Sequence, residues 1–553
     1  MKKEEARREI KAKAEFCFPT PENPFYHLKI PLRLSDNHSK TGYQLKEVRV
    51  NGNKVIDFFL YSNGKPQKEQ KLICWNKNEA VVRYDWRCGE EVQLLISGEA
   101  DSGKGLVKII SKARAPEHGG YWNPSWKYYA GIVVTETAGL DRVNEPVHVT
   151  FAFYSDRIKD PSRELRIVSI DHKEGSAQGV SSQVYSISHY DCKNPGERYQ
   201  PTTTFETVFF ADVKANSSRV YLAFYGNPQA QKPSYNNGLK VQGKEPGLIL
   251  ENPFYTIHLA PTSGCIDEIE MKMGVDYKFE HHLETNGALH WNPDVYAPPR
   301  PWLHTSDWNP PSHFSSITGE IFTMTRRHGP IDYYPEVEAS VTYTFYEKVP
   351  WMIITSSIEV KKDIDVQALR NGEIVLNREL VKEFAWAKPG GGYETMVIQE
   401  GPRHPRHAKV LPYRTPWACF FNRERNCGLG VLTISISNFN KYGGYSRTFQ
   451  PYSYLQWGPW VYYARPIVYT FLSNNPARLI TVPEGNIYRE KMALVPIKIE
   501  NTSDSFKYLE RLHAQLTNPL DVKVVEDTDP RAPREWIPPI LVEEFEEIED
   551  VKK

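Results

Sequence analysis

Short runs in which apolar and polar residues alternate, or in which β-branched and aromatic residues cluster, recur along most of the chain, each closed by Gly, Pro, Asn or Asp. Val81 to Trp86, Val147 to Tyr154, Val220 to Tyr225, Tyr255 to Leu259, Val341 to Tyr346, Met352 to Val360 and Leu429 to Ser437 are clear cases. A period of two with turn residues at both ends predicts half-buried strands. Helical period is rare. Its best instance is Leu509, Leu512 and Leu516 at i, i+3 and i+7, with Asn501, Thr502, Ser503 and Asp504 as caps just upstream.

This patterning predicts an all-β protein: an N-terminal β-sandwich or barrel-like domain followed by a larger β domain. Half-buried antiparallel strands need a second sheet over their apolar face. No repeat of 20 to 50 residues is visible, so sandwiches are expected over a propeller or solenoid. Gly226 to Gly247 is rich in Pro, Gly, Asn and Gln and poor in aliphatics, the composition of an exposed connector. The expected division is a charged segment at 1–14, solvated helix or disorder; an all-β unit at 15–226; a linker at 227–247; a second β unit at 248–520; and an extension with an acidic tail at 521–553.

With 553 residues the chain exceeds one ordinary core. Its 68 basic and 68 acidic residues cancel, so no global field gathers nucleic acid or membrane, and neither is expected as a partner. The start, MKKEEARREIKAKAEF, has no apolar signal core, and no apolar run approaches 18 residues. A cytoplasmic location is the expectation, although a signal peptide removed beforehand would leave the same start. The seven cysteines are scattered without a C-x-x-C spacing, which argues against a thiolate zinc site and suits small buried hydrophobes.

Candidate chemistry concentrates between Asn286 and Glu336. These 51 residues hold four of the 16 histidines and three of the 13 tryptophans, where even spreading gives about one of each, an enrichment expected of a loop-built site. Indole platforms beside cations and imidazoles suit a ring with apolar C–H faces and hydroxyl or carboxylate edges. An oligosaccharide or glycoside fits that description. Trp302 and Trp308, six apart among prolines, are candidate stacking platforms, with packing of a long loop as the alternative. His304 between them is a candidate imidazole catalyst or an ordinary hydrogen-bonded histidine.

The run Thr325 to Tyr334 supplies Arg327, His328 and Tyr334. β-Elimination beside a uronate needs a cation for the carboxylate, a base for the C5 proton and an acid for the leaving oxygen, and these residues offer those types. The plainer alternative is a rim loop in which arginine pairs with Asp332 or Glu336. Arg403, His404 and His407 form a basic loop whose flanking prolines forbid the helical zinc geometry. It would grip an anionic sugar group or be a solvated loop. Trp122, in an aromatic-glycine loop of the N-terminal unit, is a further candidate contact. The aromatic-glycine stretch from Tyr442 to Tyr463 could line the same groove.

Hydrolysis would instead need two carboxylates, with Asp294, Asp307, Asp332, Glu336, Glu373 and Glu379 as candidates; Asn371-Gly372-Glu373 has the composition of a turn. No phosphate loop, dinucleotide fingerprint or EF-hand loop is present. No cofactor is expected, while a histidine-carboxylate divalent site built from distant strands stays allowed.

The segment Asn252-Pro-Phe-Tyr-Thr-Ile-His-Leu-Ala-Pro-Thr-Ser-Gly-Cys-Ile-Asp-Glu-Ile resembles the opening hairpin of galactose-mutarotase-like β-supersandwich domains. Ala339 to Val360 and Ala418 to Ser437 look like their long paired strands. The resemblance runs from Leu248 to about Ile499 and implies sugar contact without fixing the reaction. The epimerase His and Glu pair is not placed by it, and the helical toroid of many related lyases is absent.

The reading is a carbohydrate-active enzyme, first of all a lyase acting on a uronate-containing saccharide, with Arg327 or Arg403 on the carboxylate, His328 or His304 as base and Tyr334 as acid. The alternatives are a glycoside hydrolase with paired carboxylates, a non-catalytic sugar-binding protein, or an assembly protein forming homo-oligomers.

Overall fold

A computed structural model describes residues 6–32, 42–55, 58–67, 70–73, 76–101, 105–171, 175–191, 201–235, 238–273, 277–280, 292–398, 408–458 and 460–525. Strands dominate them, as the alternation requires, and the fold is all-β, with one long helix, Thr502–Thr517, among the described residues.

The N-terminal part holds two sandwiches. In the first, a sheet ordered Ala6–Lys11, Gly105–Arg114, Glu91–Ala100, Gly42–Val50 and Asn53–Val55 faces a second sheet built on His27–Leu32, Asn78–Arg83 and Phe58–Ser62. Period two places Val92, Leu94 and Ile96 inward, where they meet Leu28, Ile30, Val82 and Trp86. Ala6–Lys11 is therefore a strand, parallel to Gly105–Arg114, and not the solvated helix expected within 1–14.

In the second sandwich, Arg142–Tyr154, Thr202–Val213 and Ser182–Tyr190 cover a sheet containing Arg166–Ile170, Ser218–Tyr225 and Tyr128–Thr135. That latter sheet is buried on both faces. Val220, Leu222 and Phe224 enter the first core, while Tyr221, Ala223 and Tyr225 enter the second. The segment expected as one unit at 15–226 thus contains two cores joined by a shared sheet. Asp521–Val525 returns to this sheet and pairs with Tyr128–Thr135, so part of the expected C-terminal extension is integral to it. Buried Arg142 fastens the same junction, pairing with Glu136 at 3.1 Å and donating to the carbonyls of Gln515 and Asn518.

The remaining strands form a supersandwich. A nine-stranded sheet running from His313–Ile317 to Tyr393–Val397, a five-stranded sheet of consecutive hairpins and a six-stranded sheet enclose one core that includes Ile257, Ile269, Tyr343, Ile354, Ile374, Leu429 and Leu494. The first hairpin strand, Lys240–Lys244, starts inside the expected linker. The helix closes the other side of the nine-stranded sheet through Phe506, Leu509 and Leu512. Asn501 caps it, its side chain accepting from the Ser503 amide at 3.0 Å.

Candidate functional site

The six-stranded sheet runs Leu303–His304, Asp294–Tyr296, Ala368–Asn377, Trp460–Tyr469, Tyr452–Trp457, Ala408–Pro412. One face feeds the supersandwich cores through Leu369, Ile374 and Leu376. The other carries a cluster of charge. Arg370 and Glu373, three apart, would point to opposite faces of a regular strand. Register shifts on both sides of Arg370 bring the two together. Asn371-Gly372-Glu373 therefore lies inside a strand, not at the turn its composition suggested.

Asp294 stands opposite both Arg370 and His304 in the pairing. The Arg370 Nε reaches Asp294 Oδ2 at 2.7 Å and Oδ1 at 3.0 Å, and its Nη1 donates to Glu373 and, at 3.0 Å, to the Tyr454 hydroxyl. His304 Nε2 lies 3.3 Å from Glu373 Oε2 and 3.7 Å from Asp294 Oδ2, and its Nδ1 lies 3.5 Å from Asp307. His304, Asp294, Glu373 and Arg370 are each no more than 4% exposed. Among the described residues, neither His304 ring nitrogen nor Glu373 Oε2 makes an aligned hydrogen bond. Three buried polar atoms with no such partner at one point are unusual, because each costs about 1–3 kcal/mol.

The His304 loop is held from both ends. Asp307 accepts from the His304 amide at 2.7 Å, Thr305 bonds to Asn292 through its hydroxyl, and Arg327 donates to the Thr305 and Ser263 carbonyls at 3.1 Å each. Burial pulls the His304 pKa down, but the carboxylates of Asp294, Asp307 and Glu373 outweigh it and hold the imidazole at about 9. Burial raises Asp294 above the usual carboxylate range against the pull of Arg370. With His304 protonated, the two buried carboxylates, Asp294 and Glu373, face two cations, a balance that makes the burial tolerable, while Asp307 is partly exposed.

Trp302 roofs the cluster. Its ring lies 5.0 Å from the Arg370 guanidinium, its indole N–H donates to Asp294 at 3.3 Å, and it stacks on Tyr296 at 5.1 Å and Phe471 at 5.5 Å. These three aromatics are half-buried.

The ligand atoms of Asp294, His304 and Glu373 lie within 4.8 Å of one another, a spacing a divalent ion can span. Arg370 already bonds both carboxylates and supplies their countercharge. The cluster is thus a salt-bridge network in which, among the described residues, His304 Nε2 and Glu373 Oε2 stay without an aligned hydrogen bond.

The structure thus brings Trp302 and His304 together with three of the carboxylate candidates, Asp294, Asp307 and Glu373. The Arg327, His328 and Tyr334 triad does not assemble. Adjacent residues on a strand face opposite ways: Arg327 points inward, 1% exposed, and donates to the Tyr343 hydroxyl at 2.7 Å, while His328 lies on the other face, stacked on His313 at 4.6 Å. Burial and Arg326 lower the His328 pKa. Tyr334 is buried, its hydroxyl donating to Pro301 O at 2.5 Å and accepting from the Ala297 amide at 3.1 Å, so it braces the loop and has no free proton to give. Trp308 is core, 2% exposed, donating to Pro330 O at 3.0 Å. Trp122 packs on Trp126 and Phe224 against the first core. Arg403, His404 and His407 lie outside the described residues.

Arg370 escaped the sequence reading, and Tyr454 entered it only as part of the Tyr442 to Tyr463 stretch. A signal existed for the first: Arg370 and Glu373 interrupt the apolar residues Ala368, Leu369, Ile374 and Val375, and charges inside a buried strand are expected in pairs.

No family model matches the sequence, and no curated protein matches it. Among solved structures, an α-mannosidase from Enterococcus faecalis V583 is 11% identical, with 73% of this chain and 47% of that one covered and a TM-score of 0.45. A putative aldose 1-epimerase from Klebsiella pneumoniae subsp. pneumoniae MGH 78578 is 10% identical over 54% of this chain and 91% of its own, with a TM-score of 0.30. One from Escherichia coli K12 is 9% identical over 47% and 100%, with a TM-score of 0.27. The chain spans about half the length of the mannosidase structure it matches. The resemblance to galactose-mutarotase-like structures is one of fold, at low identity and over part of the chain.

Proposed function

We propose that this protein is a carbohydrate-active enzyme whose centre is the Asp294, His304, Arg370, Glu373 and Tyr454 cluster, and that it moves protons at the hemiacetal carbon of a sugar. One observation carries the reading: an imidazole nitrogen and a carboxylate oxygen stand 3.3 Å apart, buried and, among the described residues, without an aligned hydrogen bond. An acid and a base that close serve two neighbouring atoms. The ring oxygen and the hydroxyl on one anomeric carbon are such atoms, so His304 would protonate the ring oxygen while Glu373 accepts the hydroxyl proton. The opened aldehyde recloses with either configuration, and the reverse transfers restore both residues.

The pKa of about 9 suits His304 to the role of acid at neutral pH. Tyr454 and Asp294 would position Arg370 and through it Glu373. Trp302 covers the cluster, so a sugar enters by displacing the indole, which then offers its face to the ring's C–H groups.

Elimination from a uronate is the finer reading expected from the sequence, and the cluster does contain an arginine, an imidazole and a phenol. Arg370 is taken by two carboxylates, however, and His304 holds its proton too firmly to serve as base. Hydrolysis needs two carboxyl groups free to act on either side of the bond, whereas Asp294 is held by Arg370 and by the Trp302 indole.

Polarimetry of freshly dissolved aldoses tests the proposal. Anomer interconversion should accelerate with enzyme and fall about 10²–10⁴-fold in His304→Ala and Glu373→Gln. Ultraviolet gain on acidic polysaccharides would favour elimination, and reducing-end release would favour hydrolysis. Interconversion indifferent to both substitutions would refute the assignment.

A further inference from the structure

We propose that the cavity between the helix Thr502–Thr517, the turn joining Glu383–Ala387 to Tyr393–Val397 and the segment after Ala408–Pro412 binds an acidic oligosaccharide. None of its residues belongs to the His304 cluster, so the site goes beyond the reading above. The cavity measures about 480 Å³, within the range of small-ligand sites. Its walls carry Lys388, Arg414, Trp417, Glu510 and His513.

Two of these groups are fixed and unsatisfied. Trp417 is 2% exposed and stacked on Phe506 at 5.5 Å, yet its indole N–H makes no hydrogen bond among the described residues and is not sealed from solvent. A buried indole N–H ordinarily finds an acceptor, and the cavity is where Trp417 can meet one. His513 Nε2 donates to the Thr433 carbonyl at 2.9 Å, which fixes the tautomer and leaves the Nδ1 lone pair as an acceptor. Burial lowers the His513 pKa, so the ring is neutral at pH 7. A fixed donor and a fixed acceptor in one cavity suit hydroxyl groups, which accept from the first and donate to the second.

Charge sets the class of sugar. Lys388, Arg414 and Glu510 are exposed and form no ion pair among the described residues. With His513 neutral, two cations stand against one carboxylate, which favours an anionic group that the guanidinium can hold through two N–H bonds.

An aromatic shelf continues from Arg414. Its guanidinium lies 5.2 Å from the Tyr413 ring, Tyr413 packs on Phe449 at 5.6 Å, and Phe449 on Tyr445 at 5.5 Å. Tyr445 is 53% exposed, beside a turn pinned by Asn440, whose side chain accepts from the amides of Tyr442 at 2.9 Å and Gly444 at 3.1 Å. The Tyr445 hydroxyl is bonded to Tyr413, so the ring is what it offers to sugar C–H groups. Rings leading away from a cation suit further units of a chain.

Calorimetric titration of the full chain with trigalacturonate, monomeric galacturonate, maltotriose and hexaglutamate tests this. Trigalacturonate should bind at least about tenfold more tightly than maltotriose or hexaglutamate. Arg414→Ala and Trp417→Phe, the latter keeping a ring while removing the N–H, should each weaken it about tenfold, and Tyr445→Ala should weaken the trimer but not the monomer. Arg414 and Tyr445 are exposed, so their variants decide the matter even where Trp417→Phe does not fold. His304→Ala should leave this binding unchanged, and Arg414→Ala should leave anomer interconversion unchanged. No binding of trigalacturonate, or binding indifferent to Arg414→Ala and Tyr445→Ala, overturns this site and leaves the His304 assignment standing. Hexaglutamate equalling trigalacturonate, or binding lost in His304→Ala, overturns it as well, the first by showing a site for acidic peptides and the second by moving the saccharide to the cluster.

Discussion

Removing the Arg370 guanidinium is the sharpest test of the cluster. Arg370→Leu deletes the two contacts to Asp294 at 2.7 and 3.0 Å, the contact to Glu373 and the 3.0 Å contact to Tyr454. It leaves two carboxylates facing one imidazolium at sites no more than 1% exposed. Breaking a buried pair from one side costs about 3–5 kcal/mol, since the remaining charge keeps its desolvation penalty. The loss should depend on pH in a definite sense. Asp294 already sits above the usual carboxylate range, and without Arg370 it moves higher. A carboxyl whose folded pKa exceeds its unfolded value stabilises fully below the unfolded value, and that contribution is lost as pH rises through the folded one. The substitution should therefore hurt most near pH 7 and least near pH 4. With several cores in one chain, a single unfolding free energy is ill defined, so hydrogen exchange of the Ala368–Asn377 amides is the suitable measure. A loss below about 1 kcal/mol, or one equal at the two pH values, would refute the electrostatic account.

His304, raised from an ordinary value of 6.5 to about 9, stabilises the fold fully below pH 6.5 and loses that contribution as pH rises through about 9; stability measured across this interval should slope in the wild type and flatten in His304→Gln. Trp308→Ala should cost about 3–5 kcal/mol by emptying core volume, with sugar affinity at the His304 site unchanged in a binding titration. Tyr334→Phe orphans the Ala297 amide and Pro301 carbonyl and should cost about 1–3 kcal/mol while interconversion kinetics stay at the wild-type rate.

Period-two alternation determined the strands, and with them the all-β class, because the side-chain direction of a strand is a local property. The helix was equally legible: its apolar spacing and the Asn501 cap are written in neighbouring residues. Sugar-site candidates His304, Trp302, Asp294 and Glu373 could be named because their types are rare or costly in loops and strands. Their partnership could not. Arg370 joins Glu373 only because two register shifts bend one strand, and Asp294 meets both Arg370 and His304 only through pairing between strands more than 70 residues apart in part.

Tertiary structure alone also decided which neighbours part company. Arg327 and His328 are adjacent in sequence and face opposite ways, and Trp308 is buried while Trp302, six residues earlier, roofs the charges. The two-core character of the N-terminal part arose likewise from a sheet buried on both faces and joined by Asp521–Val525. Residue type limits what a side chain can do, whereas register and sheet pairing fix what it meets, and the latter depend on contacts distant along the chain.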